Sequence, residues 1–212
     1  LLCEAPAIVS VMLANNETGV IEPIKDIVKL AHRHDALVHC DAVQAVGKIP
    51  VDIVNLGVDM MSISAHKIGG AAGSGALIVP GLGSGTGCML QGFLFGGGQE
   101  HGFRVGTENL AGIAGFGAAA KEALSGLDGF AKLAGFRDAI DKAIKTTERG
   151  SVIFGADVER LPNTTCLTMP GVDSDTQVIA FDLAGIGVSA GSACSSGKTK
   201  ISTVLKAMNA SA

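Results

Sequence analysis

Between residues 7 and 80, short apolar runs and a single amphipathic stretch follow one another in an order that few architectures accommodate. "AIVSVML" (7–13) reads as a buried strand and "NNETG" as the turn after it. Pro23 then opens a helix that runs to about His34: proline at a first helical position has no hydrogen bond to lose, and Ile24, Ile27, Val28 and Leu30 recur at helical spacing. "ALVHC" (36–40), "VDMMSIS" (58–64) and "GALIVP" (75–80) read as three further strands. Strand, helix, strand at this spacing is the pattern of an α/β fold, a mixed and mostly parallel sheet with covering helices.

The second half is more helical. One helix is expected from Thr107 to about Leu124, and a second over about 128–148 with Phe136, Ile140 and Ile144 on one face. Short strands follow near 152–155 and 164–169, then a helix at about 174–184, a strand at "GVSAG" (187–191) and a last helix near 199–208. A boundary in the helical region around 120–130 divides the chain into residues 1–122, a large α/β domain, and 123–212, a smaller C-terminal one.

Composition removes several function classes. No apolar run reaches the roughly 18 residues of a membrane span, and positions 1–14 lack the basic start and cleavage site of a signal peptide, so a cytoplasmic, non-membrane protein is expected. Sixteen basic and 20 acidic residues give a formal charge of −4 with no basic block, which argues against nucleic acid as a partner. The five cysteines, Cys3, Cys40, Cys88, Cys166 and Cys194, form no C-x-x-C pair, so reduced thiols are expected rather than a disulfide framework or zinc ribbon. His32, His34 and His39 lie close in sequence but fall on a helix and a strand without acidic or thiol partners at ligand spacing, and no metal site is expected. The 30 glycines cluster beside strands, as in "GGAAGSG" (69–75), where the main chain must approach something closely.

The strand ends carry the chemistry. Strand one ends at Asn15 and Asn16, strand two at Asp41, strand three at Ser64, His66 and Lys67. Ligands of open α/β sheets sit outside the carboxyl ends of strands, so these ends are expected to converge on one cleft. An amide, an acid, a hydroxyl, an imidazole and a lysine together suit an aromatic aldehyde with a ring nitrogen and a phosphate, which is pyridoxal phosphate. The lysine forms a Schiff base, the carboxylate keeps the ring nitrogen protonated, and hydroxyl and imidazole donors hold the phosphate. Each residue alone also has a structural reading: Asp41 can cap a turn, Gln44 can be exposed, and His66 can be a satisfied core histidine.

"HCDAVQAVGKIPVD" (39–52), "MSISAHKIGG" (61–70), "GGGQEHGFRVGTEN" (96–109) and "VSAGSACSSG" (188–197), in this order, resemble the cysteine desulfurases of the class V aminotransferase family, fold type I of the pyridoxal phosphate enzymes. The resemblance implies that Lys67 binds the cofactor covalently and then moves the substrate's α proton. It implies that Asp41 pairs with the ring nitrogen, that Gln44 and Asn16 contact the phenolic oxygen side, and that Ser64 and His66 bind the phosphate. Thr107 would reach the phosphate in the neighbouring subunit's site, which implies a homodimer with shared active sites. Cys194 aligns with the mobile nucleophile that takes sulfur from L-cysteine as a persulfide and leaves L-alanine. The form "SAGSAC" is similar to the long-loop subgroup, which usually hands sulfur to an iron–sulfur scaffold or another acceptor protein.

The chain also departs from the family. The glycine-threonine phosphate contact and the stacking histidine that precede strand one in the family are absent, as is the arginine that follows the nucleophile, so the 212 residues are expected to be a fragment of a longer chain. Ala71 and Ala72 stand where proline and lysine usually follow the lysine motif. The rival readings are a selenocysteine lyase or other class V aminotransferase, and a cofactor-free fragment that only docks a partner. A nucleotide site lacks its G-x-x-x-x-G-K-[ST] pattern.

Overall fold

The structure, a computed structural model, describes residues 8–82, 90, 92, 94–147, 150–191 and 202–209. The chain forms two compact units, Leu1–Ala14 with Glu22–Ala131, and Asn15–Ile21 with Lys132–Ala212.

The first unit is built on a four-stranded sheet in the order β1 (Ile8–Met12), β2 (Leu37–Asp41), β3 (Met60–Ser64), β4 (Gly75–Ile78). β1, β2 and β3 are parallel, with Met12 beside Asp41 and Asp41 beside Ser62; β4 returns antiparallel, with Gly75 beside Ser64. Parallel pairing needs a crossover, and α1 (Ile24–His32) supplies the first. Its buried stripe is Ile24, Val28 and Ala31, spaced four and three residues apart, while Leu30 is 43% exposed. The helix is therefore where its periodicity puts it, but the apolar residue expected inward at position 30 is displaced by the smaller Ala31, which admits closer contact with the sheet.

The second crossover holds a single helical turn, α2 (Ile53–Leu56). Asp52 caps it by accepting from the amides of Val54 and Asn55 at 2.9 and 3.0 Å. Alternation along the strands then sorts the side chains. Val38, Cys40 and Met61 point into the core, and His39, Asp41, Ser62 and Ser64 share the other face.

α3 (Leu110–Ser125) starts at Asn109, whose side chain accepts from the Gly112 amide. The residues expected to pack it are largely exposed, Leu110 at 75% and Ile113 at 45%. Contact is made instead through small residues. A Cβ placed on Gly70 would stand 3.3 Å from that of Ala119, and one on Gly47 would stand 3.1 Å from that of Ala123. The helix lies over the turns that follow β2 and β3. α4 (Leu127–Ala131) is short and ends this unit.

In the second unit α5 (Leu133–Thr147) is separate from α4, so the helix expected over 128–148 is two, broken at Lys132. Phe136 and Ile140 are 71% and 52% exposed, and the buried residue of α5 is Asp141. β5 (Val152–Ile153) pairs antiparallel with β6 (Leu167–Thr168), and Ile153, Phe154, Leu161 and Thr18 form the core beneath them. α6 (Ser174–Leu183) and α7 (Thr203–Ala207) follow. The strand expected at 187–191 is absent among the described residues, where that stretch is irregular. Its glycine, serine and alanine offer little side-chain surface to pack on a sheet.

Candidate active site

Because β1, β2 and β3 run in the same direction, their carboxyl ends lie along one edge, and Asp41 and Ser64 stand at that edge. β3 passes directly into a 3-10 turn, Ala65–Ile68, so Ser64, His66 and Lys67 follow one another within a single tight bend. Gly69 closes the turn at φ 87°, a left-handed conformation that glycine adopts without steric penalty. Its neighbour Gly70 donates its amide to the Ala65 carbonyl at 2.9 Å, directly under α3. The glycines after the lysine thus have two separate causes: one supplies a left-handed turn, the other admits a helix.

Asp41 is half-buried and both caps a turn and keeps acceptor capacity. Its Oδ1 accepts from the Val43 amide at 2.9 Å, and Oδ2 has no hydrogen bond among the described residues. Ser64 Oγ and His66 Nδ1 are hydrogen-bonded at 2.9 Å, with His66 exposed. Lys67 is half-buried. Gln44 Oε1 accepts from Lys48 Nζ at 2.9 Å, one turn along the segment after Asp41. These groups fit pyridoxal phosphate in chemistry: a carboxylate oxygen with spare capacity for a ring N–H, an imidazole and hydroxyl for a phosphate, and an amine on a rigid turn.

The remaining expected site residues are placed differently. Thr107 is exposed, just before the Asn109 cap of α3. Asn16 lies on the Asn15–Ile21 segment, which groups with the second unit; there Asn15 Oδ1 accepts from the amides of Glu17 and Thr18 and shapes the turn. Cys194 lies outside the described residues.

The structure adds a residue that spacing did not single out. His39 Nδ1 is 2.8 Å from Ser10 Oγ, and His39 Nε2 is 2.7 Å from Ser62 Oγ. Both ring nitrogens are therefore engaged across β1, β2 and β3, on the face that carries Asp41. A sequence signal existed: Ser10, His39, Asp41, Ser62 and Ser64 are polar residues at alternate positions of otherwise apolar strands.

Cys40, on the opposite face of β2, is fully buried. Burial, with a smaller contribution from the Asp41 carboxylate, pushes its thiol up to about 11. Cys166 is likewise pushed up to about 11, by burial first and Glu17 second. A thiol raised this far is almost wholly protonated at pH 8, and the thiolate is the reactive form. Neither cysteine is therefore expected to react with iodoacetamide at pH 8 within minutes in the folded protein, and both are expected to react once urea is added. Rapid native-state labelling mapped to Cys40 by mass spectrometry would contradict this assignment.

An open-edged parallel sheet with an acid, a hydroxyl, an imidazole and a lysine at its carboxyl edge defines the class of fold type I pyridoxal phosphate proteins. Residues 1–211 match the profile described as Aminotransferase class-V, and the chain belongs to that family. It is 43% identical over 202 residues to a cysteine desulfurase of Cereibacter sphaeroides, covering 95% of this chain and 50% of that one. A crystal structure of a NifS-like protein from Rickettsia africae superposes with a TM-score of 0.82 at 38% identity, over 90% of this chain and 52% of that one. A structure described as SspA in complex with cysteine superposes with a TM-score of 0.72 at 30% identity, over 96% of this chain and 55% of that one. The chain spans about half the length of the curated relatives it matches. The mostly parallel sheet with helices expected from the sequence is the fold of these neighbours. Among the described residues, no helix is long and apolar enough to cross a membrane.

Proposed function

We propose that the full-length protein containing this chain is a pyridoxal phosphate-dependent cysteine desulfurase. The observation that carries the reading is the placement of Asp41, Ser64, His66 and Lys67 at one edge of the parallel sheet of a class V family member. When bound, pyridoxal phosphate supplies an electron sink for the carbanion at the substrate's α carbon.

Lys67 Nζ anchors the cofactor and moves the α proton, a role that suits an amine held half-buried on a rigid turn. Asp41 holds a proton on the ring nitrogen through its spare oxygen. Ser64 and His66, already hydrogen-bonded to each other, bind the phosphate, and their mutual bond fixes both donors before it arrives. Gln44 and Asn16 contact the phenolic oxygen side. Cys194 acts as a thiolate nucleophile on the substrate's sulfur: the S–S bond forms as the C–S bond breaks, the carbon retains the electron pair and is protonated, and L-alanine departs. The persulfide on Cys194 passes to an iron–sulfur scaffold or another acceptor protein.

In this reading residues 1–122 form the cofactor-binding domain and 123–212 carry the nucleophile. Two copies share their active sites through Thr107, and the cytoplasm keeps the thiols reduced. The resemblance at motifs 96–109 and 188–197 supports these parts.

Incubation of the full-length protein with L-cysteine and a thiol reductant is expected to yield alanine and sulfide in equal amounts. Replacing Cys194 by alanine is expected to abolish both products from L-cysteine, while cofactor uptake is retained. Undiminished turnover in that variant would favour a selenocysteine lyase or aminotransferase instead. Failure of the unmodified protein to take up pyridoxal phosphate would remove the reading altogether.

A further inference from the structure

We infer that Glu17 and Ser202 are positioning residues for the nucleophile Cys194; this rests on the desulfurase reading above. Ser202 Oγ donates to Glu17 Oε2 at 2.5 Å, a bond between side chains 185 positions apart. Glu17 belongs to the turn that carries Asn16, and Glu17, Gly191 and Ser202 all belong to the second unit. Residues 192–201, which include Cys194, lie outside the described residues, but both ends of that stretch are placed, at Gly191 and at Ser202. Cys194 stands eight residues before Ser202 in the chain. The bond to Glu17 therefore fastens the return end of the nucleophile segment to the turn that the reading above sets against the phenolic oxygen.

Both sides of this bond are held. The turn is fixed from within, because Asn15 Oδ1 accepts from the amides of Glu17 and Thr18 at 2.9 and 3.0 Å. It is also fixed from outside, because the Leu161 amide donates to the Gly19 carbonyl at 2.7 Å. A hydroxyl has one proton to give and lone pairs to receive. Ser202 uses both, donating to Glu17 and accepting from the Leu205 amide at 3.0 Å, which caps α7. α7 is five residues long and has no buried residue, so apolar packing holds it weakly and a hydrogen bond to a half-buried carboxylate carries more of the anchorage. A segment fastened at both ends brings its thiol to one place more often than a segment fastened at one end, because closing the loop raises the effective concentration of what it carries.

The test uses the full-length protein with pyridoxal phosphate and follows a single turnover of L-cysteine, reading persulfide on Cys194 by mass spectrometry. Ser202→Asp keeps an acceptor for the Leu205 amide but sets a carboxylate against Glu17. It is expected to slow persulfide formation about tenfold, within the up to about 100-fold that a misplaced reacting group costs. Exchange of the α hydrogen of L-alanine for deuterium, which uses Lys67 and not Cys194, is expected to be unchanged, a separation that a general structural fault would not produce. Amide hydrogen exchange over 202–209 in the cofactor-free protein is expected to quicken. Adding Glu17→Gln to Ser202→Asp gives the new carboxylate an N–H donor and is expected to restore the rate to within about twofold, as coupling between two contacting residues requires. Glu17→Ala leaves the α7 cap intact and serves, with the same slowing expected, if Ser202→Asp does not fold. Persulfide formation at the unmodified rate, a loss that Glu17→Gln does not restore, an equal loss of deuterium exchange, or unchanged amide exchange over 202–209 would overturn the inference. Absence of persulfide on Cys194 in the unmodified protein would instead overturn the parent reading and this inference with it.

Discussion

Lys67→Ala is expected to eliminate turnover of the full-length protein, by on the order of 10⁴-fold or more in kcat, since the proton-transfer role by itself accounts for up to about that factor. The same variant is expected to lose the visible absorption band, because the covalent anchor of the chromophore is gone. Lys67→Arg should be as inactive: it keeps the charge, but a guanidinium does not deprotonate to a nucleophile near neutral pH. A rival amine in the same unit is Lys48, which donates to Gln44 Oε1 at 2.9 Å and sits after β2 rather than on the 65–68 turn. Borohydride reduction of the unmodified protein followed by peptide mapping separates the two. A tag on Lys48, or on any lysine other than Lys67, would end the assignment.

A comparably large effect on stability is expected in the second unit, where Arg160 and Asp141 pair at 2.5 Å with side chains only 5% and 12% exposed. Thr165 Oγ1 donates to the other Asp141 oxygen at 2.8 Å. Arg160→Met strands a buried carboxylate, which destabilises by about 3–5 kcal/mol. Replacing both members, Arg160→Met with Asp141→Leu, is expected to recover most of that loss, since desolvation of two charges offsets much of their attraction. Arg137 with Asp138 is the contrast. At 16% and 63% exposure, solvent screens the pair to roughly 0–1 kcal/mol. Urea unfolding followed by circular dichroism distinguishes the cases; an Arg160→Met midpoint indistinguishable from that of Asp138→Ala would show that the buried pair carries no such weight.

The two halves of the chain were unequally legible. β1, β2, β3 and β4 are short apolar runs bounded by turn residues, and α1 has clear helical spacing, so local pattern and tertiary context agree there. The lysine turn was legible for the same reason, since Ser64, His66 and Lys67 follow the strand without interruption and glycines follow them. In the second half the pattern misled. Phe136 and Ile140 look like a core face yet are exposed, and Asp141 looks like a solvated charge yet is buried. The reason is that Asp141 meets Arg160 and Thr165, residues 19 and 24 positions away, which spacing within the helix does not contain.

What the chain's linear order settled is therefore which polar side chains end β2 and β3 and the direction in which those strands run, because strand alternation and short crossovers are local properties. What only the folded molecule decided is which side chains are coupled laterally. Ser10, His39 and Ser62 are far apart in sequence and become neighbours only through the β1–β2–β3 register. A hydrogen bond between strands depends on pairing that no single segment encodes, and so the bridge from Ser10 through His39 to Ser62 came into view only when the sheet was assembled.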